Sequence, residues 1–240
     1  MPSSRFILLV ENGSVATEPL ARQLVHLGIE PIRVDGLAEG VGVVETGGYS
    51  IGAVLLPADL PPRDIADAIQ RMRRRAPLLP VMAYGKPPDP GQRRRLRRAD
   101  VRLALWEGYD DAVLRFQLNR MLSGELAHVA RRSRRAPVQS PVRIRVGGRE
   151  KQGMLCSLSE GGCFIETPRA SMEGARLELA FELEQRIYEV EGRVAFANVP
   201  GNLQRPNLPL GMGVCFENLS RSVARELDDL VRRRSSVLEV

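Results

Sequence analysis

At Pro141 the chain changes period, and this change constrains its fold more than any other feature. Upstream, short apolar runs alternate with stretches of helical spacing. Phe6 to Val10, Pro31 to Val34, Ile51 to Leu56, Pro80 to Tyr84 and Val101 to Trp106 read as strands. Between and after them, Thr17 to Leu27, Gly36 to Thr46, Ile65 to Arg74, Gly91 to Arg98 and Asp110 to Leu122 read as helices. A run such as FILLV, apolar at every position, fits a strand covered on both faces. The first half is therefore predicted to be an α/β doubly wound five-stranded parallel sheet. Downstream the pattern changes to short alternating strands, with Val142 to Val146 alternating strictly. Val142 to Val146, Met154 to Leu158, Cys163 to Thr167, Leu177 to Leu183, Ile187 to Ala197 and Gly213 to Glu217 read as short strands joined by Gly- and Pro-rich turns. They predict a six-stranded antiparallel β-barrel with a C-terminal helix, capped by Ser220 and apolar along Val223, Leu227, Leu230 and Val231.

Helical spacing continues through Leu126 and Val129 until Pro137 and Pro141 force extended backbone. The predicted division is residues 1–122 for the first domain, 123–136 for a linker with an arginine-rich arm, and 137–240 for the second domain. The formal charge of +6 rests on clustered arginines: Arg73 to Arg75, Arg93 to Arg98 and Arg131 to Arg135. Such clusters suit phosphate-bearing ligands, anionic surfaces or plain solvation. Nucleic acid is disfavoured, because no helix-turn-helix or aromatic-interleaved basic face is visible.

Cys156, Cys163 and Cys215 stand singly, and His26 and His128 are the only histidines. That spacing offers no metal cluster and no catalytic triad, so neither metal nor cofactor nor enzymatic activity is expected. Odd, scattered cysteines suit reduced thiols in a cytoplasm. The apolar run Phe6 to Val10 is too short for a membrane span. Trp106 and Met212 read as packing residues.

The first half, through "FILLVEN", "IGAVLLPADLPPRD", "LPVMAYG" and "LALWEGYDDAVL", resembles a response-regulator receiver domain over its whole length. The resemblance locates the family's phosphorylation machinery at residues that lack its chemistry. Glu11 and Asn12 stand at the acidic pair, Pro57 at the phosphoacceptor, Glu107 near the lysine and Tyr84 near the Ser/Thr position. Proline carries no nucleophile, so position 57 accepts no phosphoryl group. Asp59 reads as a loop carboxylate. The implied domain is a pseudo-receiver that docks partners without a phosphorylation switch.

The second half carries Arg131 and Arg135 in "RRSRRAPVQSPVRIR", then "SLSEGG", "GGCFIET" and "GMGVCFENLS". In this order they resemble the PilZ domain, whose RxxxR and [Asp/Asn]xSxxG motifs bind cyclic-di-GMP. The resemblance implies ligand contacts from Arg131, Arg135, Ser157, Ser159 and Gly162, with Ser157 standing where the family has Asp or Asn. Arginine forks onto guanine O6 and N7 or onto phosphate, and glycine permits close backbone approach. Ser157 offers one oxygen where a carboxylate or amide would accept from guanine, a loss of about 1–3 kcal/mol. Arg143 and Arg145 fit either the ligand face or a solvated side. The implied function is a cyclic-di-GMP effector that relays the ligand to protein partners in a motility or envelope system; a homodimer is compatible with it. The alternative is a ligand-independent PilZ-like interaction scaffold in motility or polarity control.

Overall fold

The structure is a computed structural model that describes residues 6–14, 16–123, 134–205 and 208–240. Arg131, His128 and the expected helical continuation through Leu126 and Val129 lie outside the described residues. The chain divides into two units: residues 1–129 together with 237–240, and residues 130–236.

In the first unit, β1 (Phe6–Glu11), β2 (Glu30–Asp35), β3 (Ile51–Pro57), β4 (Val81–Gly85) and β5 (Leu103–Trp106) form a parallel sheet ordered β2-β1-β3-β4-β5. The connecting helices are α1 (Glu18–His26), α2 (Gly36–Thr46), α3 (Pro62–Arg75), α4 (Pro90–Arg98) and α5 (Asp111–Leu122). The two-residue period of a strand sends alternate side chains to opposite faces. Ile7, Leu9, Ala53, Leu55, Leu103 and Leu105 meet Leu20 and Leu24 of α1 and Leu114 and Leu118 of α5. Leu8, Val10, Val54, Leu56 and Ala83 meet Val41 of α2, Ile65 and Ile69 of α3 and Leu96 of α4. Both faces are thus filled, which is why these strands are apolar at every position. Local capping agrees with this arrangement. The Asp89 carboxylate accepts from the Gly91 and Gln92 amides at 2.6 and 3.0 Å, and Asp110 accepts from Val113 at 2.8 Å.

The last four residues belong to this unit. Glu239 pairs antiparallel with Leu103, the Ala104 amide donates to the Leu238 carbonyl at 3.0 Å, and Val240 donates to Arg102 at 3.2 Å. Leu238 and Val240 are buried. The second domain expected over residues 137–240 includes this tail; its hydrogen bonds instead lie along the β5 edge of the parallel sheet.

The second unit comprises β6 (Arg135–Val146), β7 (Arg149–Ser159), β8 (Gly162–Glu166), β9 (Arg176–Leu183), β10 (Arg186–Val199), β11 (Asn202–Leu203), β12 (Gly211–Glu217) and α6 (Arg221–Ser236). The order β11-β10-β12-β8-β7-β6-β9, with β9 also pairing to β10, closes six antiparallel strands into a barrel; β11 is a short extension. Val142, Ile144, Leu155, Ile165, Leu179, Val190 and Val214 point inward and pack with Leu227, Leu230 and Val231 of α6. The Ser220 hydroxyl accepts from the Val223 amide at 3.3 Å, so Ser220 caps this helix. β6 starts seven residues before the alternation becomes visible at Val142. A register shift between Pro137 and Ser140 changes its phase and hides the earlier part. Arg135 and Ala136, placed in the arm by sequence, are the first residues of this strand.

Candidate functional site

At the carboxyl ends of the parallel strands, the residues standing at the receiver positions are tied to one another. The Glu11 carboxylate accepts from Arg33 at 2.6 Å and from the buried Thr17 hydroxyl. The Arg33 hydrogen bond is the main cause that lowers the Glu11 pKa. Asp59 accepts from the Asn12 amide at 2.8 Å and from the Ser14 hydroxyl at 2.7 Å. Pro57 ends β3 beside Tyr84, whose buried hydroxyl donates to the Val10 carbonyl at 2.6 Å. Burial raises the Tyr84 pKa, so its phenol stays protonated. Asp59 is a loop carboxylate engaged by neighbours, and the position that ends β3 holds no nucleophile.

The barrel gathers the other sequence-marked residues onto one outward face. Strand register sets two adjacent cross-strand rows there. One row runs Arg135, Ser159, Gly162, Cys215 and Arg193 across β6, β7, β8, β12 and β10. The next runs Pro137, Ser157, Phe164, Gly213 and Phe196 across the same strands. Arg135, Ser157, Ser159 and Gly162 are therefore neighbours by register, although their numbers span nearly thirty positions.

Each has a distinct local state. Gly162 is buried, and a Cβ there would stand 2.3 Å from the Val214 carbonyl oxygen. Only glycine lets β8 approach β12 so closely. Ser159 is buried and donates its hydroxyl proton to the Gly162 carbonyl at 3.0 Å. Its remaining lone pairs accept but cannot donate, which suits a base N–H better than a phosphate. Ser157 is half-buried, and its hydroxyl makes no hydrogen bond among the described residues. Arg135 is exposed and meets no carboxylate among the described residues. Local desolvation is the largest cause lowering its pKa, and the positive charge of Arg205 acts in the same direction; it remains charged at neutral pH.

Phe164, Gly213 and Phe196 of the second row, with Arg205, complete this face. Phe164 is 3% exposed yet lies outside the barrel core, stacked on Phe196 with centroids 6.1 Å apart. Gly213 lies between them in register, and a Cβ there would meet the Phe196 ring at 2.1 Å. Arg205 then lies over the Phe196 ring, 5.6 Å from its centroid. Its backbone is fixed by fully buried Asn198, whose amide donates to the Arg205, Leu208 and Pro209 carbonyls at 2.7, 3.1 and 3.2 Å and accepts from the Arg205 amide at 2.9 Å. Phe164 was not singled out from the sequence, although its position two residues past Gly162 puts it on the same strand face. No sequence signal marks Arg205, which a loop delivers.

Arg143 and Arg145 lie elsewhere, along a cleft with Glu150, Glu178, Glu189 and Glu191, where Arg145 pairs with Glu178 at 3.2 Å. The cysteines form no disulfide: Cys163 is buried in the barrel core, Cys156 is half-buried and Cys215 is exposed on the outward row. Among the described residues no group of His, Cys, Asp and Glu could hold a metal, and no helix is long and apolar enough to cross a membrane.

Residues 130–233 match the family model of the PilZ domain. Among curated proteins, no sequence matches the chain. Among solved structures, the second half is similar to the Bacillus subtilis inhibitor of motility MotI/DgrA, at 18% identity with a TM-score of 0.39. That match covers 46% of this chain and 53% of the other, so it spans about half of that protein. It is also similar to the PilZ domain of Escherichia coli YcgR, solved with cyclic-di-GMP, at 17% identity over 45% of this chain and 94% of that one, TM-score 0.37. The first half is similar to the receiver domain of the Pseudomonas aeruginosa sensor histidine kinase PA1611, at 25% identity over 50% and 98%, TM-score 0.43. At these levels the likeness is one of fold.

Proposed function

We propose that this chain, a receiver-like unit joined to a PilZ domain, is a non-enzymatic signalling protein whose barrel binds cyclic-di-GMP. Arg135, Ser157, Ser159 and Gly162 form the ligand face, and Arg131, four residues upstream, supplies the second guanidinium of the RxxxR motif. One observation carries the reading: strand register sets the arginine, the two serines and the glycine side by side, with Arg135 lacking a carboxylate among the described residues. An unneutralised guanidinium beside a close-packed glycine turn suits a dianion with planar bases. The receiver-like unit is a platform for protein partners in a motility or envelope system. Pro57 removes the acceptor, and Asn12, Ser14 and Asp59 are bonded to each other.

A second reading, a PilZ-like scaffold without ligand, is favoured by Ser157 alone, since one hydroxyl oxygen cannot accept both guanine donors as a carboxylate does. Calorimetric titration of the chain with cyclic-di-GMP separates the two. The effector predicts binding by the wild type, weakening by Arg135→Ala of at least about tenfold, and tightening by Ser157→Asp of about 5- to 150-fold. A silent wild type with binding gained in Ser157→Asp would establish the scaffold.

A further inference from the structure

Arg205 lies in a place that barrel architecture does not require. Its guanidinium is exposed, and it contributes nothing to the barrel core. Several features nevertheless fix it. Buried Asn198 spends both its amide and its carbonyl on the loop that carries it, and the Leu208 amide donates to the Arg205 carbonyl at 2.9 Å. Phe196 supplies a ring beneath the guanidinium, and glycine at 213 makes room for that ring. Phe196 is itself stacked on Phe164, the cross-strand neighbour of Ser157.

This construction places a second cation near Arg135, and neither arginine meets a carboxylate among the described residues. Two neighbouring like charges left unneutralised are costly unless an anion joins them. Other barrel arginines do have carboxylate partners: Arg193, farther along the same row, pairs with Glu217 at 2.8 Å, and Arg145 pairs with Glu178 at 3.2 Å. A planar guanidinium with one face on a ring has its other face available for a second ring.

We propose that Arg205 is a third basic contact of this face, stacking its guanidinium between the Phe196 ring and a purine base of the bound dinucleotide. The proposal rests on the cyclic-di-GMP reading and assigns a base-stacking role that the two motifs do not supply. Arg135 approaches from the start of β6, whereas Arg205 approaches from the loop after β11. The ligand is then held from two segments about seventy residues apart.

The test is calorimetric titration of the full chain with cyclic-di-GMP, comparing wild type, Arg205→Ala, Arg205→Lys and Arg135→Ala, with thermal melts confirming equal folding. Loss of a stacked base predicts at least about fivefold weaker binding for Arg205→Ala. Arg205→Lys should stay nearly as weak, because an ammonium keeps the charge and lacks the planar face. Wild-type affinity in Arg205→Ala, with Arg135→Ala still weakened, would overturn the role of Arg205 and leave the dinucleotide reading standing. Full affinity in Arg205→Lys would reject stacking. No binding by the wild type would remove both.

Discussion

Two glycines, adjacent in sequence, separate what the turn between β7 and β8 tolerates from what it requires. A Cβ on Gly161 would meet nothing within 4 Å, whereas one on Gly162 would meet the Val214 backbone oxygen at 2.3 Å. Backbone yields less readily than a side-chain tip. Gly162→Ala is therefore expected to lower unfolding free energy by about 2–4 kcal/mol in urea titration, with Gly161→Ala nearly neutral. In the first unit, Glu11→Gln should behave differently with pH. Arg33 depresses the folded-state pKa of Glu11, so the carboxylate stabilises the fold above the ordinary carboxylate range and loses that contribution as pH falls through its lowered pKa. Because Arg33 is substantially exposed, the difference between wild type and Glu11→Gln should be about 0.5–1 kcal/mol at pH 7 and vanish in acid. A difference independent of pH would point to packing instead. At this scale sequence showed the residues whose chemistry is local: Pro57 lacks a nucleophile wherever it lies, and Gly162 marks a tight approach. It did not show Arg205 or Phe196, because their place depends on a loop pinned by Asn198 and on a ring admitted by Gly213.

Elements were legible where period and length agreed. The five apolar runs of the first unit and the alternating strands of the second became strands because burial on two faces or on one dictates those patterns. Two boundaries were hidden. The start of β6 was masked by its register shift, and the tail after α6, which meets β5 through the single bridge at Glu239, was too short for any period to register. What holds that tail is not visible in its own residues. Gln117 of α5, with no exposed surface, donates its amide to the Ala104 carbonyl at 2.8 Å and to the Leu238 carbonyl at 2.6 Å. Gln117→Leu keeps the bulk and leaves both carbonyls short of a donor. It is expected to destabilise the first unit by about 1–3 kcal/mol and to speed hydrogen exchange at Ala104, whose amide is bonded to Leu238. Unchanged exchange at Ala104 would mean that the burial of Leu238 and Val240 suffices.

The whole chain adds a constraint that neither unit contains. Residues 130–236 are inserted between the main part of the first unit and the tail, residues 237–240, that belongs to it. While the barrel is folded, its own strands and helix fix the path of the chain between residues 135 and 236. Once unfolded, it becomes a loop of on the order of a hundred residues, whose closure costs about 4 kcal/mol. Docking the tail buries Leu238 and Val240, worth about 3–6 kcal/mol together, so the two effects are comparable. Unfolding of the barrel should therefore release the tail or leave it barely attached, without unfolding the parallel sheet. A ligand bound only to the folded barrel stabilises it by about 2.7 kcal/mol at a hundred times its Kd. Where exchange at Ala104 proceeds through barrel unfolding, cyclic-di-GMP is expected to slow it, although the proposed ligand face lies on the barrel and Ala104 on β5. Gly162→Ala should speed the same exchange by destabilising the barrel. Amide exchange at Ala104 that responds to neither would show that the tail is held by the first unit alone. A response to both would make the tail a readout of barrel stability, and hence of ligand, built into the path of the chain.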